Sequence, residues 1–491
     1  MGGDRRGGAR RIAPVILGFA VILGGFAVMS AHFRRVGLMA ADESFYAVAA
    51  RNVMRGELPY RDFAYTQMPL FPYIDGAILK IVGFSMEKHR MVSAIAAALG
   101  VAIIVLALRS RLGTWEPGFV AAFAAVAAPC WAFVESLGVW FGITTLLVGV
   151  AFAAAVMRGA FRPRAAVFAA ASVAAVGCRL TCAFVCFFLW LAMIEEARGR
   201  KDRTIIAALP VGLGLIAYLP FFLAAPGNAF FLAIDYHLGS QLMRRGLEQA
   251  TEWMSVAPTA IFLLVAALFG VAGLVRRRLW NELLVLCAGL AAVTVPMIPQ
   301  SAWGVYVVAG VPAAAGAAVI AIASSGFAAK SPFRFAVWIV PIVTFFLPWP
   351  YEVEQGACEE VKEVARFLEN EVPPGPILTP VPVVAVQAGR EIVHGTEMGM
   401  FSAMGPAARD AARRVHMTTV PDLIEALDAQ EPAAVVWIRE PPPWVIWNFA
   451  WKVPQLTYQP ADAYGELLAT LDTCYEVVKS TETFDVMLPR E

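Results

Sequence analysis

Residues 41–76 read ADESFYAVAARNVMRGELPYRDFAYTQMPLFPYIDG. An acid pair, Asp42–Glu43, opens the segment, and Tyr, Phe and Pro crowd its second half. The stretch 67–84 at its end is apolar but carries Pro69, Pro72, Asp75 and Lys80. A membrane-spanning helix needs about 20 mostly apolar residues, so whether 67–84 crosses fixes the orientation of everything after it. Clear apolar runs cover 12–32, 91–108, 115–133, 139–157, 204–225, 256–275, 280–298, 302–323 and 335–350. Two shorter ones, 165–178 and 180–194, meet at Arg179 as a helical hairpin. That makes about eleven spans by the length criterion. The arginines settle the doubtful stretch. If 67–84 lies in the interface, alternate connections hold Arg5, Arg6, Arg10 and Arg11; Arg109 and Arg111; Arg158, Arg162 and Arg164; Arg198, Arg200, Lys201 and Arg203; Arg276 to Arg278; Lys330 and Arg334. Basic residues collect on the cytoplasmic side, and a crossing at 67–84 would break the alternation from Arg109 onward. The expected N-terminus is therefore cytoplasmic, and residues 351–491 face the exterior. The opening span is too long for a removable signal peptide and lacks a small-residue cleavage site, so it reads as a retained anchor.

Composition agrees. Of 491 residues, 59% are hydrophobic and 16% charged, against roughly 45–50% and about 25% in soluble domains; the mean hydropathy is +0.65. A chain of soluble domains and a disordered chain are both excluded. Seven Cys in this length exclude a disulfide-built scaffold. Residues 351–491 hold 10 basic and 22 acidic side chains, whereas 1–350 hold 29 and 16. That imbalance follows the membrane orientation and argues against nucleic-acid binding. The expected fold is a polytopic α-helical membrane protein, residues 1–350, followed by a small extracytoplasmic α/β domain, 351–491. The expected location is a cell (inner) membrane.

Two outer connections are long, 33–90 and 226–255, and long loops in a compact protein are disproportionately functional. In the first, Phe45, Val48, Ala49 and Val53 form a helical face, Arg51 and Arg55 lie on the other side, and Gly56 ends the helix. The second carries Asp235, Tyr236, His237, Arg244 and Arg245. In the tail, Val361, Val364, Ala365 and Leu368 form a helical stripe. Residues 376–379 and 433–438 read as strands, and 475–479 with 484–488 as a hairpin. Thr419 caps a helix over 421–429, and Asp462 caps another to about 472. Trp444, Trp447 and Trp451 suit an interface or a sugar surface. Cys178, Cys182 and Cys186 share a face, as small apolar residues do. Cys358 and Cys474 lie outside, where a disulfide is permitted; sequence leaves it open.

Asp42–Glu43 stands at the membrane surface, where paired acids cost desolvation unless a cation or a substrate proton compensates. Such a carboxylate can act as general base; alternatively Asp42 caps the helix of 43–55. A lone Arg179 between two apolar spans either meets an anion or reaches the headgroups.

A short span, then the segment quoted above, then an Arg-led span resembles the first outer loop of the GT-C glycosyltransferases. The likeness is to the branch of protein O-mannosyltransferases, lipid A aminoarabinose transferases and RgtA/B/C/D-like enzymes. Weaker likenesses are "CRLT" at the hairpin turn, "DYHLGSQ" and "VYVVAGVP". The resemblance implies sugar transfer from a polyprenyl-phosphate carrier to a lipid, glycan or protein acceptor on the outer face. By position, it makes Asp42 the base on the acceptor hydroxyl and Glu43 a residue shaping the acceptor or metal site. Gln67 stands where some relatives have an acid. Glu135 is the acid of the second outer turn, with Trp140 at the nearer match. Arg179 matches the residue that meets the carrier phosphate, and His237 falls in a Tyr-His motif. Tyr46, Arg51, Tyr60, Asp62 and Arg244 complete the candidate substrate-binding set. A divalent cation, Mg or Mn, near Asp42–Glu43 is admitted but no complete ligand set demands it. Two other classes remain: a transporter or flippase of lipid-linked saccharides, and a non-catalytic saccharide-binding relative. Charges placed at span ends, without paired broken helices, favour surface chemistry over a translocation path.

Overall fold

The computed structural model describes residues 40–126, 140–239, 267–268, 270–297, 307, 309–325, 357–404, 409–439 and 461–491. The spans at 12–32 and 335–350, Glu135, Arg244, Arg245 and the three tryptophans Trp444, Trp447 and Trp451 lie outside them. Two compact units form. One comprises 1–33, 91–217 and 245–351; the other comprises 34–90, 218–244 and 352–491.

The first unit is a helical bundle. Among the described residues, Met86–Leu112, Arg200–Ala224 and Trp280–Met297 are long and apolar enough to cross a membrane, with shorter apolar helices at Phe141–Val156 and Val311–Ser325. Trp280–Thr294 packs against Cys182–Glu196 and Val311–Ser325, and Trp140–Val156 packs against Phe161–Cys178. The hairpin expected around Arg179 is present: Phe161–Cys178 ends, Arg179 is extended, and Cys182–Glu196 begins. Ion pairs close one end of this bundle. Arg164 reaches Glu196 through both terminal nitrogens at 2.8 and 2.7 Å, Arg111 meets Glu282 at 2.5 Å, and Arg162 meets Asp202 at 3.1 Å. These are residues of the basic connections that set the expected topology. Val211, Leu215 and Ile216 on Arg200–Ala224 are exposed, as a lipid-facing helix requires.

Small residues bring the helices together, as they do where no hydrophobic effect drives association. A Cβ on Gly142 would collide with the Ser93 backbone, and the Gly142 N–H donates to Ser93 Oγ at 3.0 Å. Gly142→Val is therefore expected to cost at least about 1–3 kcal/mol by overpacking, seen as a lowered unfolding midpoint of the purified protein in detergent.

In the second unit the segment 67–84 contains one helix, Leu70–Val82, of 13 residues. At 1.5 Å per residue that is about 20 Å, against a hydrocarbon core of ~30 Å. Helix Ala40–Met54 differs from its expected form. It is buried on every side from Glu43 to Ala50, because Ala47, Ala49 and Ala50 let neighbours approach all round. Ala40 and Ala41 are already helical, so Asp42 lies within the helix and does not cap it. Gly56 follows its end at φ +92°, as expected.

The tail builds a four-stranded sheet ordered β1-β4-β6-β5 from β1 (Ile377–Leu378), β4 (Ala434–Ile438), β5 (Tyr475–Ser480) and β6 (Phe484–Pro489). β1 runs parallel to β4, and β6 runs antiparallel to both β4 and β5. A short parallel pair, β2 (Ala403–Met404) and β3 (Thr418–Thr419), stands apart. The stripe Val361, Val364, Ala365 and Leu368 of helix Ala357–Asn370 is buried as expected. Thr419 caps Val420–Asp428 through a capping box with Asp422. Asp462 lies one residue inside helix Ala461–Cys474 and is not its cap; an acid in the first turn still favours the helix dipole. Cys474 is a free thiol 3.6 Å from Asp428 Oδ1, and the Cys358 side chain lies outside the described residues. Ala47, Val48 and Met86 share one apolar cluster with Val361, Val384 and Val436. The first outer segment and the tail thus have a common core.

Candidate functional site

The first outer segment is fastened by a buried ion pair and a buried histidine–carboxylate hydrogen bond. Arg90 Nε donates to Glu43 Oε1 at 2.9 Å, and its Nη2 donates to Oε2 at 2.8 Å. His89 Nε2 meets Asp75 Oδ2 at 2.7 Å. All four residues are buried. Neighbouring residues at the start of Met86–Leu112 therefore each hold a carboxylate, one on Ala40–Met54 and one on Leu70–Val82. Gly76 allows the last two helices to touch, since a Cβ there would lie 3.0 Å from the Ala50 carbonyl oxygen.

Around this frame lies an aromatic nest. Tyr46 is buried against Phe45, Tyr65 and Phe71, and Phe45 meets Phe401 of the tail edge-on. The chain then turns at Tyr60, buried at φ +71°, a conformation that costs strain outside glycine. Tyr60 Oη donates to the Gln67 carbonyl at 2.6 Å. Asn228 Nδ2 donates to the Tyr60 carbonyl at 3.0 Å and to the Arg414 carbonyl at 2.8 Å. Burial pushes the Tyr60 phenol well above its ordinary range.

The second outer segment joins the same place. A turn of π-helix, Phe231–Asp235, precedes Tyr236–Gly239; such turns re-aim side chains and recur at functional sites. His237 Nε2 meets the Thr66 carbonyl, and Gln67 Nε2 lies 3.5 Å from it. Of the expected substrate-binding residues, Tyr60, Gln67 and His237 are thus brought together. Asp235 and His237 are exposed.

Arg51 and Asp62 are occupied elsewhere. Arg51 Nη1 donates to the Arg390 carbonyl at 2.6 Å, and Arg55 pairs with Glu391 at 2.8 Å. Burial, then the neighbouring Arg55, lowers the Arg51 pKa. Asp62 pairs with Arg61 at 2.8 Å, which holds its carboxyl below the usual range. Asp42 is placed by its backbone in the first described turn of Ala40–Met54. Arg179, in the first unit, is buried at the hairpin turn, with its N–H on the Ala175 carbonyl at 2.9 Å. Glu135 and Arg244 lie outside the described residues. Arg90, His89 and Asp75 were not among the expected site residues. The signal available was an acid inside an apolar stretch and a His-Arg pair leading a span.

Among the described residues no group of three or more His, Cys, Asp or Glu could hold a metal ion. Glu43 does not fit a cation ligand, because Arg90 engages both its oxygens.

A second polar feature lies in the tail, a cleft of about 360 Å³ lined in part by His394, Arg413, His416 and Asp422. The two imidazole centroids are 5.7 Å apart. Glu397, 3.0 Å from His394, raises the His394 pKa, while burial and then His394 itself lower that of His416. A raised folded pKa gives stability that is present below the unfolded value of about 6.5 and lost as pH rises through the folded value. His416 has the opposite sign: it costs stability as pH falls below about 6.5 through its lower folded value. His416→Asn, a residue that tolerates φ near the +57° found there, should flatten the fall in unfolding midpoint between about pH 7 and 5. His394→Gln should steepen it.

No protein-family model and no curated protein matches the sequence. Solved structures do. ArnT from Cupriavidus metallidurans bound to undecaprenyl phosphate is 15% identical, with a TM-score of 0.63 over 97% of this chain and 98% of that one. The same protein in the apo state is 14% identical, with a TM-score of 0.62 over the same shares. The fold is that of the GT-C glycosyltransferases. The oligosaccharyltransferase of Archaeoglobus fulgidus in the apo form, 10% identical, gives a TM-score of 0.50 over 85% of this chain and 70% of that chain. In this GT-C fold the acid pair, the aromatic nest and His237 belong to one unit, and the Arg179 hairpin belongs to the other.

Proposed function

We propose that the chain is a membrane glycosyltransferase. It moves a sugar from a polyprenyl-phosphate carrier to an acceptor on the outer face of the membrane. The observation that carries this reading is the end-to-end likeness to ArnT bound to undecaprenyl phosphate, joined to the Asp42–Glu43 acid pair near the start of the outer segment.

Asp42 takes the proton of the acceptor hydroxyl. The oxygen attacks the anomeric carbon while the bond from that carbon to the phosphate oxygen breaks, and the electron pair leaves with the carrier phosphate. Attack opposite the leaving group inverts the anomeric centre. Charge accumulates on the phosphate, where fixed cationic donors act most strongly; Arg179 supplies that charge, with a planar fork suited to phosphate oxygens. Tyr60, buried and bonded to the Gln67 carbonyl, holds the outer segment in shape, while Gln67 and His237, which reach the surface, offer polar groups to the substrates. Glu43 is held by Arg90 and keeps the acid-bearing turn in place.

Proteoliposomes loaded with a labelled polyprenyl-phosphate sugar and an acceptor extract test the reading. The expected result is free carrier phosphate appearing in step with labelled acceptor. Movement of the intact lipid-linked sugar across the bilayer, with its phosphate bond unbroken, would instead identify a flippase.

A further inference from the structure

We infer that Arg90 is a positioning residue for the proposed base: through its two-point grip on Glu43 it fixes the rotation of the helical turn that carries Asp42. The inference rests on the reading of Asp42 as base.

The geometry is specific. Glu43 and Arg90 are 2% and 5% exposed and joined by two hydrogen bonds. Two charges leave water here, and an apolar pair of similar size would hold the helices at least as well. What a fork-to-carboxylate pair adds is direction, because both nitrogens must meet both oxygens in one plane. Neighbouring residues of a helix are rotated by about 100° from each other, so pinning Glu43 in azimuth also pins the residue before it. The same end of Met86–Leu112 holds Asp75 through His89, and Glu87 holds Lys362 of the tail at 2.7 Å. The reference points for that turn are therefore themselves tied down. Farther along the helix, Arg51 and Arg55 fasten it to the tail at Arg390 and Glu391, which resists sliding.

A positioning role separates from a purely structural one in the kinetics. Misaligning a base lowers the chemical step and leaves ground-state binding of the donor in place. The test compares full-length wild type, R90K, R90Q, E43Q and E43Q/R90Q, purified in one detergent, with rates expressed per folded molecule and unfolding midpoints measured alongside. The expected kcat order is wild type, then R90K, then R90Q, with R90Q reduced about tenfold and KM for the lipid-linked donor within about twofold. R90K restores charge and one contact, so it recovers part of the loss. The pair acts as a unit, so E43Q/R90Q falls no further than the worse single variant. Equal kcat per folded molecule in all five, with only the midpoints lowered, overturns the inference. So does a loss confined to KM. Should R90Q or E43Q not fold, the R90K comparison decides: kcat equal to wild type overturns the assignment, and a severalfold drop at constant KM supports it. Wild-type protein that transfers no sugar overturns the underlying reading, and the inference with it.

Discussion

Asp42→Asn is expected to transfer sugar at between about one hundredth and one ten-thousandth of the wild-type rate, the range that a positioned general base supplies. Asparagine preserves volume and helical preference but accepts no proton, so the acceptor hydroxyl must attack while still protonated. KM for the lipid-linked donor is expected to stay close to wild type, because the base acts on the acceptor and only during the chemical step. The measurement is the initial rate of labelled-acceptor formation with purified protein. A variant that retains wild-type rate removes Asp42 from the role of base. Helical backbone already at Ala40 sharpens this prediction, because the loss of a cap cannot account for any effect.

Arg179→Gln is expected to lower kcat by about 10²–10³-fold, the loss seen when one fixed donor to a developing anion is removed. Arg179 stands in extended backbone between two helices of the bundle and is buried. Glutamine keeps hydrogen-bonding capacity and loses the charge, so the loss reports charge on the leaving phosphate. Lysine in the same place should recover only part of the rate, as a point charge cannot make the two-pronged contact. An unchanged rate in Arg179→Gln would mean that the arginine serves the headgroup layer instead. Both assays need the same folded yield, checked by unfolding midpoint.

The parts of the fold that were legible in the sequence are those set by local chemistry. Apolar length marks the long helices, and the break at Arg179 marks the hairpin. The Val361-to-Leu368 stripe and the Thr419 cap each need only a few neighbouring residues, and both are as expected. In helix Ala40–Met54, Phe45, Val48, Ala49 and Val53 fall on one side, and a periodicity reading marks only that side for burial. The opposite face carries Ala47 and Ala50, which are neutral in a pattern reading but become contact surface once Leu70–Val82 and the tail close over them. The pairs that fasten the site were not legible. Glu43 and Arg90 are 47 residues apart, and Asp75 and His89 are 14 apart. Nothing local marks them as partners until three helices meet. Asn228 is another such case. Its amide joins Tyr60 to Arg414, 168 and 186 positions away, and only the shared core of the outer segments and the tail makes that contact available.

The account turns on cleavage of the bond between sugar and carrier phosphate. Purified full-length protein given a panel of polyprenyl-phosphate sugars and a membrane extract as acceptor tests it most directly, with Asp42→Asn alongside. The account predicts that one donor of the panel yields carrier phosphate and glycosylated acceptor in equal amounts, with the anomeric configuration inverted, and that Asp42→Asn lowers both products together, to between about one hundredth and one ten-thousandth of the wild-type rate. Carrier phosphate released from no donor, or released equally by wild type and Asp42→Asn, would contradict it.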